Sequence, residues 1–182
     1  MGPATLLVRG SSFDYRHSTR KEQPVDGARE TLHATAISLG DRAALIRGPS
    51  GSGKSDIALR CLACAPTSLV REPSRLISDD QVIVTRRGAS LIASAPAAIA
   101  GKLEVRGIGI VPVASQQSAT IVMCVELASA HRMERMPDPW PMTSILGISI
   151  PILQVDAGAH ATPIKILLAL SLSLLPQPQV CD

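Results

Sequence analysis

The stretch GPSGSGKS, residues 48–55, fits the phosphate-loop pattern G-x-x-x-x-G-K-[ST] without a mismatch. Glycines let such a loop bend and bring backbone N–H groups close to a phosphate chain. We expect Lys54 to reach the β- and γ-phosphates of a nucleotide and the Ser55 hydroxyl to bind Mg²⁺. The predicted nucleotide-binding residues are Gly48, Pro49, Ser50, Gly51, Ser52, Gly53, Lys54 and Ser55.

The flanking sequence has the order that this loop requires. An apolar run at residues 43–46 precedes the loop and predicts a strand. Residues 56–63 follow it, with apolar positions on one face, and predict a helix whose N-terminus favours an anion. Gly40 and Asp41 separate the strand from an earlier β-like run at residues 32–39, which predicts a hairpin.

The rest of the chain contains more predicted strands than helices. Apolar or β-branched runs predict strands at residues 76–77, 82–85, 90–93, 103–105, 110–113, 120–127 and 148–155, the last broken by Pro151. A closing amphipathic helix is predicted over residues 164–175. Because strands and helices do not alternate regularly, the sequence predicts an α/β domain built on a strand-rich mixed sheet.

Length and composition indicate one globular domain. The chain has 182 residues, of which 46% are hydrophobic and 18% are charged. We predict a disordered N-terminal tail at residues 1–29, a folded domain at 30–176 and a C-terminal tail at 177–182. The sequence shows neither a signal-peptide pattern nor an apolar run of membrane-spanning length, so we expect a cytoplasmic protein.

Composition also bears on partners and metals. The only aromatic residues are Phe13, Tyr15 and Trp140, which disfavours binding of single-stranded nucleic acid by base stacking. A net charge of +3 neither requires nor excludes nucleic acid, and we expect neither nucleic acid nor a membrane as a partner. Cys61 and Cys64 form a CxxC pair without a second pair at zinc-site spacing, so we interpret them as small buried residues one helical turn apart.

Two adjacent carboxylates follow the predicted strand at residues 76–77. Asp79 and Asp80 come about 25 residues after Lys54, which leaves room for a helix, a loop and a returning strand. Beside nucleotide phosphates, one carboxylate can hold Mg²⁺ and the other can take a proton from a hydroxyl nucleophile. The alternative is a solvated turn, in which Asp-Asp pairs are common.

A second unusual segment is LEVRGIGI, residues 103–110. It places Glu104 and Arg106 two positions apart, on one face of a predicted strand, just before Gly107 and Gly109. Glu104 could be a second metal ligand and Arg106 could balance phosphate charge. The pattern alone favours a plainer interpretation, an exposed ion pair on an edge strand.

Together these segments resemble the HPr kinase/phosphorylase family. The resemblance rests on LHATAISL (residues 32–39, with His33), the phosphate loop, LISDD (76–80) and LEVRGIGIVPV (103–113), in matching order and spacing. A lone histidine in a strand is by pattern more often structural, and only the resemblance gives His33 a role. The chain is similar to the short members of the family, which lack the separate N-terminal domain of the longer ones.

The resemblance implies a fold and an activity. The implied fold is the P-loop type shared with phosphoenolpyruvate carboxykinases, so residues 30–176 would be a kinase domain with a helix after the P-loop and a C-terminal helix. The implied reaction is ATP- and Mg²⁺-dependent phosphorylation of a serine on HPr or a related phosphocarrier of the phosphotransferase system. Longer members also reverse the reaction with inorganic phosphate and assemble as hexamers.

The resemblance also implies roles for individual residues. Asp79 would accept the proton of the substrate serine, and Asp80 would support the metal. Arg135 is matched through ERMP, residues 134–137. The implied catalytic residues are His33, Lys54, Asp79 and Arg135; the implied metal ligands are Ser55, Asp80 and Glu104; the signature segment holds Glu104, Arg106, Gly107 and Gly109.

Some features depart from the family, and two other functions stay open. Residues 153–160 stand where longer members carry Pro-x-Arg-Pro-Gly-Arg-Asn, and both arginines are missing, which leaves the reverse reaction and hexameric assembly as open questions. One alternative function is a P-loop kinase or NTPase acting on a small molecule, which would need an enclosed acceptor pocket. The other is a non-catalytic nucleotide sensor, which would bind ATP without turnover.

Overall fold

The computed structural model describes residues 25–128, 133–172 and 175–181. These residues contain twelve strands and two helices. In chain order they are β1 (Arg29–His33), β2 (Thr35–Leu39), β3 (Arg42–Arg47), α1 (Lys54–Leu62), β4 (Ser74–Ser78), β5 (Gln81–Arg87), β6 (Ser90–Ser94), β7 (Lys102–Val105), β8 (Gly109–Pro112), β9 (Ser118–Leu127), β10 (Met142–Ile145), β11 (Ile148–Val155), α2 (Thr162–Leu172) and β12 (Gln179–Val180).

One mixed sheet of ten strands confirms the predicted strand-rich architecture. Its main path is β1-β5-β6-β9-β3-β2-β4, and β11 joins β9 while also pairing with β10 and β12. Strands β3, β9 and β11 run parallel, so their C-terminal ends reach the same edge of the sheet. The segment at residues 48–55 leaves β3 at that edge and leads into α1. The remaining strands, β7 and β8, form a separate hairpin.

The two helices cover one face of the sheet. Strands β2 and β3 are almost entirely buried, and their apolar side chains meet the apolar faces of α1 and α2. The buried side chains of this core include Ile37, Ile46, Ile57, Met123, Ile166 and Leu170. Each such side chain stabilises the fold by about 1.5–3 kcal/mol relative to an exposed one. Among the described residues, no helix is both long and apolar enough to cross a membrane.

The predicted run at residues 32–39 is split into two strands at Ala34, and this split matters for the site. Only Ala34 separates β1 from β2, and only Asp79 and Asp80 separate β4 from β5. Because β1 pairs with β5 and β2 pairs with β4, both antiparallel, the four strands form one long pair that is interrupted beside the two carboxylates. Interruptions of this kind commonly re-aim side chains next to functional sites.

Other differences from the sequence predictions concern strands that depend on distant partners. Pro151 does not break β11; it lies opposite Met142 in β10, a strand that the sequence analysis did not predict. Arg29 belongs to β1 and residues 179–180 form β12, although both lie in the segments predicted as tails. Residues 1–24 of the predicted N-terminal tail lie outside the described residues.

Two buried thiols predict how stability depends on pH. Burial raises the pKa of Cys61 and of Cys124 from 9.0 to about 12. Since unfolded thiols ionise at lower pH than these two, their contribution to stability is complete below pH 9 and is lost as the pH rises toward 12. We therefore expect the free energy of unfolding, measured by denaturant titration, to fall as the pH rises above 9.

A double variant isolates this effect from other groups that titrate in the same range. Cys61→Ala combined with Cys124→Ala should remove most of the decline above pH 9. In the unaltered protein, iodoacetamide at pH 8 should label neither buried thiol until denaturant is added, which mass spectrometry of the peptides would detect. A slope that is the same with and without the two thiols would contradict the prediction.

Candidate active site

A cleft of about 470 Å³ opens beside the segment at residues 48–55, at the edge of the sheet where β3 ends. It brings together side chains that the sequence analysis singled out in separate segments. Its lining includes Lys54 and Ser55 from the start of α1, His33 from β1, Asp80 from the junction of β4 and β5, and Glu104 and Arg106 from the β7–β8 hairpin.

The segment at residues 48–55 has the backbone that its glycines permit. Gly53 caps the N-terminus of α1 with φ of 96°, a left-handed conformation that favours glycine. A Cβ atom at Gly48 would lie 2.7 Å from Ser52 Oγ, so a side chain there would force Ser52 to shift. Ser52 Oγ is buried without a hydrogen-bond partner among the described residues. These features fit a loop that closes around phosphate oxygens at a helix N-terminus.

The ammonium group of Lys54 makes three polar contacts in and beside this loop. Its side chain is buried, and Nζ lies 3.0 Å from both Gly48 O and Pro49 O and 3.2 Å from His33 Nε2. An ammonium group has donors only, so His33 Nε2 must accept and the ring proton sits on Nδ1. That Nδ1 lies 3.1 Å from Asp80 Oδ1. The three side chains therefore form a chain of contacts from the loop to the cleft.

Asp79 is the buried member of the carboxylate pair. It is 5% exposed, and Oδ1 accepts hydrogen bonds from Thr35 Oγ1 at 2.7 Å and Ser55 Oγ at 2.9 Å. Its Oδ2 accepts from the backbone N–H of Glu104 at 3.2 Å. Asp79 thus ties β2, α1 and β7 together beneath the cleft. Sequence reasoning missed Thr35, because a threonine inside an apolar strand carries no signal of this role.

Asp80 is the open member of the pair. Its side chain is 67% exposed and lines the cleft. The backbone has φ of 64°, and Gln81 N donates to Asp79 O at 2.8 Å across it, which is a γ-turn centred on Asp80. Such a conformation costs about 1–3 kcal/mol and is typical of functional sites. Of the two carboxylates, Asp80 has room to meet a hydroxyl group in the cleft.

The β7–β8 hairpin forms one wall of the cleft, and its geometry corrects the sequence prediction. Glu104 lies in β7, whereas Arg106 lies beyond the end of that strand, in a turn with positive φ at Gly107 and Gly109. The two residues therefore do not share a strand face. Among the ion pairs of the described residues, none joins Glu104 to Arg106. Both side chains are exposed and face the cleft instead.

The donor atoms at the cleft suit Mg²⁺ bound together with nucleotide phosphates. Within residues 25–128, 133–172 and 175–181, no group of three or more His, Cys, Asp or Glu side chains could hold a metal ion. Mg²⁺ is commonly bound through one or two carboxylates, with phosphates and waters completing its octahedron. The Ser55 hydroxyl and the Glu104 carboxylate, both lining the cleft, match that smaller set.

Asp79 lies buried beneath the cleft, and Arg135 is the other predicted catalytic residue that does not line it. It is exposed in the segment between β9 and β10, part of which, residues 129–132, lies outside the described residues. That segment leaves β9 at the same sheet edge as the segment at residues 48–55, since β9 is parallel to β3. Arg135 belongs to the connection between β9 and β10 and follows the undescribed residues 129–132.

A strand-rich mixed sheet with a phosphate-loop motif between a central strand and its helix defines the class, a P-loop domain. The chain belongs to the family of the HPr serine kinase C-terminal domain, whose model matches residues 27–169. The first predicted strands and most of α2 fall inside this match, as the resemblance of the motifs led us to expect.

Curated relatives and a solved structure agree with this membership. The chain is 30% identical over 155 residues to HPr kinase/phosphorylase of Chlorobium phaeobacteroides (strain BS1), covering 78% of this chain and 43% of that protein. It is 31% identical over 138 residues to HPr kinase/phosphorylase of Limosilactobacillus reuteri (strain DSM 20016), covering 70% and 41%. The chain thus spans less than half the length of these relatives.

The fold is also that of a solved structure. HPr(Ser) kinase/phosphatase from Coxiella burnetii superposes with a TM-score of 0.63 at 24% sequence identity. The match covers 76% of this chain and 91% of the Coxiella chain. At this identity the likeness concerns the fold alone, and it confirms the predicted fold class.

Proposed function

We propose that the chain is an ATP-dependent protein serine kinase that phosphorylates a serine of an HPr-like phosphocarrier protein. Family membership supports this, as does the likeness to HPr kinase/phosphorylases. The observation that carries the proposal is the chain of contacts from Lys54 through His33 to Asp80, beside the phosphate-loop motif and in one cleft. The proposed location is the cytoplasm.

In this proposal the phosphate-binding groups position ATP, and the exposed carboxylate of Asp80 accepts the proton of the substrate serine. Lys54 exchanges its loop carbonyls for phosphate oxygens, and Ser55 and Glu104 hold Mg²⁺, which neutralises phosphate charge when bound. The serine oxygen forms a bond to the γ-phosphorus as the bond to the leaving ADP oxygen breaks. The serine proton passes to Asp80, and His33 Nδ1–H orients that carboxylate.

This division reverses the roles of the two aspartates that the resemblance implied. Asp79 is proposed to support the metal by fixing Ser55, because both of its oxygens already accept hydrogen bonds from protein donors. Asp80 is proposed as the proton acceptor, because its carboxylate is open to the cleft. Arg135 is proposed to contact the acceptor protein when the complex forms, since it is exposed in the segment that joins β9 to β10.

The openness of the site supports a protein acceptor over a small molecule. Asp80 is 67% exposed, and next to the cleft Ile108 and Ile110 are 76% and 71% exposed on the β7–β8 hairpin. A small-molecule kinase would be expected to enclose its acceptor instead. The loop between β11 and α2 carries no arginine, so we propose that transfer to inorganic phosphate is weak or absent.

A phosphotransfer assay tests the proposal directly. The purified chain, Mg²⁺ and γ-labelled ATP would be mixed with an HPr-type phosphocarrier or with its serine-to-alanine variant. We expect label on the serine form only, and we expect inorganic phosphate added afterwards to leave that label in place. Label on neither form would refute the proposal: phosphate release would then point to an NTPase, and ATP binding without turnover to a sensor.

A further inference from the structure

Arg60, near the end of α1, donates hydrogen bonds to the loop that joins β11 to α2. This loop comprises residues 156–161 and is called the β11–α2 loop below. Arg60 Nη1 donates to Ala157 O at 2.9 Å, and Nη2 donates to Ala159 O at 2.8 Å. Nη1 also lies 3.8 Å from Asp56 Oδ2, one helical turn earlier. A planar guanidinium can span two carbonyls in this way, whereas a single ammonium nitrogen lacks that fork.

The β11–α2 loop lies directly behind the N-terminus of α1. A Cβ atom at Gly53 would be 3.8 Å from Ala157 Cβ, an ordinary packing distance. Within the loop, Asp156 Oδ1 accepts from Gly158 N at 2.9 Å and its carbonyl accepts from Ala159 N at 3.2 Å. These short-range bonds shape the loop but do not attach it to α1. Among the described residues, the hydrogen bonds that join this loop to α1 come from Arg60.

Gly53 is a sensitive position for nucleotide binding. It adopts φ of 96° and precedes Lys54 and Ser55, the two residues proposed to meet phosphate and Mg²⁺. The backbone of a glycine has many accessible conformations, and binding a phosphate chain requires one of them. Gly53 has no side chain of its own, but Ala157 lies on the side where a Cβ would point, and its presence there limits the freedom that binding must remove.

We infer that Arg60 is a positioning residue: it fixes the β11–α2 loop behind Gly53 and so holds the segment at residues 48–55 in its phosphate-binding shape. The inference rests on the proposed function and concerns nucleotide binding within it. Arg60 does not line the cleft, and a nucleotide that has bound holds the segment in the same shape by its own contacts. Its loss should therefore raise the KM for ATP and leave kcat nearly unchanged.

A matched pair of variants tests this inference. Arg42 is also half-buried, and its Nε donates to Leu170 O at 2.9 Å near the other end of α2, so Arg42→Gln removes a similar bond far from the cleft. We expect Arg60→Gln to weaken binding of MgATP, measured by calorimetric titration, by about tenfold. Arg42→Gln should lower the melting temperature by a comparable amount and leave the affinity for MgATP as in the unaltered chain.

A third variant and a kinetic measurement separate positioning from general stability. Arg60→Lys keeps the charge beside Asp56 but loses the two-carbonyl fork, so its affinity should lie between those of Arg60→Gln and the unaltered chain. In the phosphotransfer assay, Arg60→Gln should show a raised KM for ATP with kcat within about twofold. All titrations would be made well below the melting temperature of each variant.

The outcomes distinguish this inference from the proposed function. If the unaltered chain binds MgATP and Arg60→Gln binds it equally tightly, the inference is wrong while the proposed function stands. A matching loss of affinity in Arg42→Gln would also overturn it, because both effects would then reflect stability alone. Failure of the unaltered, folded chain to bind MgATP at all would refute the proposed function and this inference together.

Discussion

Asp80→Asn is expected to lower kcat for serine phosphorylation by about 10²- to 10⁴-fold, because an amide cannot take the serine proton. Asparagine tolerates a left-handed backbone as well as aspartate does, so the turn at φ of 64° should survive the substitution. Binding of MgATP should change by less than about twofold, since Asp80 is not proposed as a metal ligand. The labelled-ATP assay and calorimetric titration measure the two quantities.

Asp79→Asn is the matched control at the neighbouring position, and it should behave differently. An amide oxygen can accept from only some of the donors that Asp79 serves, which are Thr35, Ser55 and the backbone of Glu104. Leaving a buried donor without an acceptor costs about 1–3 kcal/mol, so denaturant unfolding should show a clear loss of stability. The Mg²⁺ concentration needed for half-maximal transfer should rise, because Ser55 loses its fixed orientation.

The pair of variants decides between the two assignments of the aspartates. Full transfer by Asp80→Asn, together with a folded Asp79→Asn that binds MgATP but transfers nothing, would restore the roles that the resemblance implied. The opposite pattern would support the division proposed from burial. In both cases ATP binding by each variant shows whether the cleft itself is intact.

The phosphate loop was predictable because its requirements are local. Gly48 is needed for close packing and Gly53 for a positive φ. The phosphate-loop pattern contains both glycines at a fixed spacing. The hairpin at Gly40 and Asp41 was predictable for the same reason. The strand before Asp79 was also found, since a short apolar run ends at a polar pair.

Features that depend on distant partners were not predictable in this way. Nothing local marks Thr35 as a partner of Asp79, because the contact joins residues 44 positions apart. Nothing local marks the role of Arg60 either, since its two carbonyl acceptors lie in a loop almost a hundred positions away. The difference in burial between Asp79 and Asp80 was also unpredictable, because it depends on the long strand pair. That pair places one carboxylate under α1 and the other in the cleft.

Lys54→Met is expected to reduce kcat/KM for serine phosphorylation by about 10³-fold or more, the scale on which a preorganised charge contributes to transfer. Methionine fills a similar length of the loop but supplies no positive charge to the phosphates. Lys54 Nζ also serves Gly48 O, Pro49 O and His33 Nε2, and all three lose a donor in the variant. His33 should then hold Asp80 less firmly, which adds to the loss.

The effect of Lys54→Met on stability should be much smaller than its effect on transfer. Removing a buried ammonium group relieves the cost of its desolvation, which offsets part of the loss from the unpaired carbonyls of Gly48 and Pro49. We expect a net change of about 1–2 kcal/mol in denaturant unfolding, which leaves the variant folded in the assay. A folded Lys54→Met that transfers phosphate at the unaltered rate would contradict the placement of this lysine at the phosphates. That result would also contradict the proposed role of the chain of contacts, because His33 would then orient Asp80 without help from the loop.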